Sequence, residues 1–226
     1  MKLRVSDVTH THHRMLEREL MKKDYIIMVV PAKGFNDKGS REKLKKAFTI
    51  LCKNNPVNYC NGSTGSLLMG FDFETLREAI RDGAILHAVY KSKVDIENVI
   101  RKLKEENLGF SVVVSGLFDE MYEVARKVSI GKFHTVNLSL GVWGNKELLP
   151  ESEILEITTM CGHGMISPNL VKYFLKRIAE GKISAEEAAK EIGKQCICGI
   201  FNWHCAAEKL KKMAGKLTKL KRNVHS

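Results

Sequence analysis

The chain has 226 residues, a net charge of +11 and an apolar fraction of 44%, which suits one sizeable core or a core with a small appendage. No run approaches 18 consecutive apolar residues, so no transmembrane helix is expected, and "MKLRVSDVTHTHHR" lacks the apolar stretch of a secretory signal, which makes the cytoplasm the default compartment. In that compartment the six cysteines (Cys52, Cys60, Cys161, Cys196, Cys198, Cys205) point to metal or catalysis rather than to disulfides, and a single glutamine, Gln195, among abundant Lys, Glu and Ile hints at a warm or anaerobic prokaryotic source.

Taken in chain order, "HRMLERELMKKD" reads as a short helix, "YIIMVV" (25–30) as a buried strand and "SREKLKKAFTILCKN" (40–54) as an amphipathic helix. "SLLMGF" (66–71) is a candidate strand. A helix over 72–83 follows, with Asp72 as its cap, then a strand over 84–90 and a helix over 95–109 capped by Asp95. "FSVVVSG" (110–116) reads as a strongly buried strand, 117–131 as a helix and 134–144 as a last strand. This alternation predicts an α/β body over 1–150, with a mostly parallel sheet and flanking helices. A helical, Cys-rich lobe over 151–226 completes the chain. Its helices start at Ser167 followed by Pro168, at a capping box of Ser184 and Glu187, and at Asn202.

The chemistry concentrates in that lobe. Cys161 stands in "CGHG" ahead of one helix start, and Cys196 and Cys198 stand in "CICG" ahead of another. Helix N-termini favour thiolates, and Gly162, Gly164 and Gly199 let backbone N–H groups approach a bound cluster. The expected site is a [4Fe–4S] cluster held by Cys161, Cys196 and Cys198, its fourth iron open or bound by His163, Cys205 or Cys60. The alternative is zinc in a Cys3His site completed by His163. An open iron would act on a small anionic substrate by elimination of water or removal of sulfur, with His163 as ligand or proton donor; redox transfer is the close variant. Other readings are a zinc protein that binds nucleic acid or a protein partner, and a carrier of metal or clusters.

Four further places are candidates. "NYCNGSTGS" could offer an anion nest through Ser63, Thr64, Gly65 and Ser66. Lys33, Asn36, Asp37, Lys38, Ser115 and residues 137–143 fall where open α/β sheets bind ligands. His10 and His12 of "THTHHR" could share a metal. Lys209, Lys211, Lys212, Lys216, Lys219, Lys221 and Arg222 form a basic tail, either a solvated helix face or a phosphate-binding one.

Overall fold

The computed structural model describes residues 14–131, 133–137 and 144–224, with side chains followed to residue 219. His10 and His12 lie outside the described residues, as does 138–143 of the strand expected over 134–144; residues 134–137 form no regular element.

The elements in order are α1 (Arg18–Met21), β1 (Tyr25–Val30), α2 (Arg41–Cys52), β2 (Asn58–Asn61), β3 (Gly65–Ser66), α3 (Phe73–Glu78), β4 (Leu86–Tyr90), α4 (Lys93–Glu106), β5 (Ser111–Ser115), α5 (Phe118–Lys127), α6 (Ser152–Thr158), α7 (Pro168–Ala179), α8 (Ala185–Gly193) and α9 (Trp203–Val224). The five strands form one sheet in the order β3-β2-β4-β1-β5, and every neighbouring pair is antiparallel. This corrects the expected mostly parallel sheet. The two β-α-β units, β1-α2-β2 and β4-α4-β5, each skip one position, and a strand of the other unit, running the opposite way, fills the gap: the split β-α-β arrangement. Alternation of helix and strand along the chain is the same for both arrangements, so it could not distinguish them.

Local signals account for the ends of several elements. Asp72, Ser167 and Ser184 each accept a backbone N–H from the first turn of their helices, and Glu187 closes the capping box. Asn202 Oδ1 accepts the N–H of Cys205. The cap of α4 is Ser92 and not Asp95, which lies inside the first turn. The expected strand over 66–71 is instead the end of β3 and a 3-10 turn, Leu67–Met69, closed by Gly70 at φ +94°. The 110–116 strand is an edge strand, with Val112 and Val113 40% and 36% exposed rather than strongly buried.

Both sheet faces are covered near the centre, which explains why β1 and β4 read as continuous apolar runs. Tyr25, Ile27 and Val29 of β1 pack with α2, α3, α4 and α5 through Leu44, Phe48, Leu76, Val99 and Val124. Ile26 of β1 and Val89 of β4 face the other way, into a core shared with α6, α7, α8 and α9. The register sets Ser66, Cys60, His87, Met28 and Val113 in one row across the five strands, on that second face.

Candidate metal centre

The two cysteine loops are built alike. After α6, the N–H of Gly164 bonds to the carbonyl of Cys161; after α8, the N–H of Gly199 bonds to the carbonyl of Cys196. Gly164 and Gly199 both have φ +65°, the left-handed region that glycine enters without strain. Each loop is thus a Cys-x-x-Gly turn. The turns leave backbone N–H groups aimed at sulfur: those of Met165 and His163 at Cys161, and that of Ile200 at Cys198.

The α7–α8 hairpin brings the loops together. Gln195, next to Cys196, accepts the N–H of Ser167 through Oε1 at 3.0 Å, joining the cap of α7 to the second loop. The Cys196 and Cys198 sulfurs lie 3.7 Å apart. Their interaction with Cys161 across the loops, then the N–H groups of Met165 and His163, lower the Cys161 thiol against the opposing effect of burial. Cys196 and Cys198 are pushed up, chiefly by their interaction with Cys161.

Arg14, only 2% exposed, clamps both loops. Its guanidinium forks onto Asp24, at 2.5 Å and 2.9 Å. It also donates to the carbonyl of Met160, beside Cys161, at 2.6 Å, and to that of Ile200, beyond Cys198, at 3.1 Å. Asn202 completes the knot, donating to Asp24 Oδ1 and to the Lys23 carbonyl. The sequence carried no local sign of this clamp, because the partners of Arg14 are backbone carbonyls 146 and 186 residues away.

Cys60 and Cys205 lie outside the thiol triad. The Cys60 thiol donates to the Ile197 carbonyl at 3.5 Å, and burial, then the charge of Cys198, pushes it up to about 12. Cys205 donates to the carbonyls of Lys23 and Leu20 and is pushed up by burial. The β2–β3 hairpin presses on the second loop: a Cβ at Gly199 would stand 2.4 Å from that of Cys60 and 3.0 Å from that of Ser66. Gly199→Ala should therefore lower stability by about 2–4 kcal/mol, from overpacking and backbone strain together. An unchanged urea midpoint would show that the hairpin does not hold the loop.

His163 and Cys198 line a cavity of about 400 Å³ whose floor includes His87 and Met28 and whose rim includes Gly62 and Ser63. Gly162 and Cys161 line a separate cavity of about 360 Å³. His87, a polar residue in the otherwise apolar run of β4, was the sequence signal for this floor.

The other expected positions serve the scaffold. In the Ser63–Ser66 turn, the N–H of Ser63 bonds to Asn61 Oδ1 and that of Thr64 to the Asn61 carbonyl, while Gly65 and Ser66 pair with β2. Those satisfied donors leave little of a nest. Asn36 and Asp37 accept N–H groups of their own loop, and Lys33 is exposed outside the cavity. Lys209 is buried between Glu17 and Glu156, at 2.8 Å from each, and Lys216 pairs with Glu153; part of the basic tail is therefore neutralised.

Among the described residues, no group of three or more His, Cys, Asp or Glu side chains is arranged to hold a metal ion as it stands, and no helix is long and apolar enough to cross a membrane. No family model, curated protein or solved structure matches the chain.

Proposed function

We propose that this chain is a metal–thiolate protein in which Cys161, Cys196 and Cys198 bind one centre whose fourth position faces the His163 cavity. The observation that carries the reading is a pair of Cys-x-x-Gly turns that set the Cys196 and Cys198 sulfurs 3.7 Å apart, with Cys161 interacting with both and backbone N–H groups directed at Cys161 and Cys198. Donors so placed stabilise thiolates, and thiolates are the soft ligands that thiophilic metals select. With metal–sulfur bonds of about 2.3 Å, two sulfurs on one tetrahedral ion stand roughly 3.8 Å apart. The 3.7 Å between Cys196 and Cys198 favours a single ion such as zinc. Small side-chain rotations would still be needed to seat it, since the thiols now touch one another.

A substrate oxygen or sulfur at the fourth position would be polarised there. His163, on the wall of the same cavity, would be the proton donor. The second reading is a [4Fe–4S] cluster with one open iron. Each thiolate then sits on a different iron, so the sulfurs must part; the cavities beside Cys161 and Cys198 leave room for that.

The test is anaerobic purification followed by zinc, iron and sulfide analysis and a visible spectrum. One zinc per chain, lost in Cys161→Ala and Cys198→Ala and retained in Cys205→Ala, is the expected result. About four irons with matching sulfide and a band that bleaches on reduction would replace the single ion by the cluster. Neither metal, in protein never exposed to air or chelator, would sink both. Transfer of the metal to an apo-acceptor, without turnover of small anions, would make the chain a carrier.

A further inference from the structure

The sheet face covered by α2, α3, α4 and α5 holds a third cavity, of about 400 Å³, on the side away from the thiols. Its floor includes Val29 and Val112, direct neighbours in the β1–β5 register. Leu103 of α4 and Met121 of α5 form walls, with Phe110 and Phe133 also in the lining. The volume and the apolar lining are those of a small-molecule site rather than of a packing fault in a close-packed core.

Lys104 supplies the polar end. Its ammonium donates to the carbonyls of Val128 and Ser129, at 2.9 Å each, just past the end of α5. Among the described residues no carboxylate pairs with it. An ammonium has three N–H donors and no acceptor, so one donor remains, at the solvent-exposed mouth of the apolar chamber. An anionic group at that mouth would pair with the ammonium, a neutral one would gain nothing from its charge, and a cationic one would be repelled.

We propose that this cavity binds a small amphiphile, a single apolar chain carrying a carboxylate that pairs with Lys104. The site is independent of the metal centre, because the sheet lies between them and no residue lines both.

The experiment is calorimetric titration of the full chain with octanoate, decanoate, decanol and decylamine, all below their micellar concentrations. Decanoate should bind about three- to fivefold tighter than decanol, and decylamine more weakly than decanol. Each added methylene should tighten binding about fourfold until the chamber is full. Lys104→Met should abolish the preference for decanoate over decanol while decanol still binds, which separates loss of the charge from loss of the fold. Val112→Phe, at the exposed edge strand, should weaken decanoate and decanol alike. Equal binding of decanoate and decylamine, or a Lys104→Met protein that keeps its preference, would overturn the assignment. So would a folded chain that binds none of the probes, as expected if another part of the chain or a second copy fills the chamber.

Discussion

Arg14→Leu should lose about 3–5 kcal/mol of stability and, with it, the alignment of both cysteine loops. The substitution leaves Asp24, buried beside it, without its counter-charge and leaves the carbonyls of Met160 and Ile200 without their donor. Denaturant unfolding gives the first effect, and metal content after dialysis gives the second. The pair Arg14→Met with Asp24→Leu separates them. Removing both charges should recover much of the stability, since a buried ion pair replaced by apolar groups of similar volume is often close to neutral. It should not recover metal retention, because the two carbonyls remain untied. A double variant that holds metal as well as the natural chain would show that the clamp serves folding alone.

Lys209→Ala should be nearly as damaging at neutral pH, by about 3–5 kcal/mol, and the loss should shrink in acid. The lysine is 1% exposed and joins Glu17, ahead of α1, to Glu156 of α6 from its place on α9. Burial already raises the Glu156 carboxyl above its ordinary value, against the lowering effect of Lys209. Without Lys209 the raising effects of burial and of the Glu17 charge are opposed only by the smaller lowering effect of the Glu17 backbone N–H. A carboxyl raised on folding destabilises the native state when it is charged, and the penalty falls away as pH drops and the folded state takes up the proton. The difference in unfolding free energy between natural and variant chains should therefore narrow from neutral pH toward pH ~4. A difference independent of pH would show that lost packing dominates.

The local features were legible because their causes are local. Ser167, Ser184 with Glu187, and Asn202 each satisfy N–H groups within three residues, so the helix starts of the lobe could be read from the chain alone. The cysteine loops stood out for the same reason, through glycines at the positions where the backbone turns left-handed. The strand order was hidden, since β4 enters between β1 and β2 through contacts that no window of sequence contains. The Gly/Ser/Thr turn at 62–66 looked like an anion nest because composition does not reveal that Asn61 already accepts from Ser63 and Thr64. Cys205 resembled the other thiols in sequence, yet its helix turns it toward the carbonyls of Lys23 and Leu20.

The long reach of Arg14 also bears on when the site comes into being. Ribosomes deliver the N-terminus first, so Arg14 and Asp24 emerge early, whereas the Ile200 carbonyl comes 186 residues after Arg14. Contacts at such separation close late, after the loop entropy between them has been overcome. A nascent chain therefore holds its first cysteine loop unfastened until Ile200 has been made. On the proposed reading, metal loading would follow that point, and a chain cut short before residue 196 would carry Cys161 with no second loop to meet it.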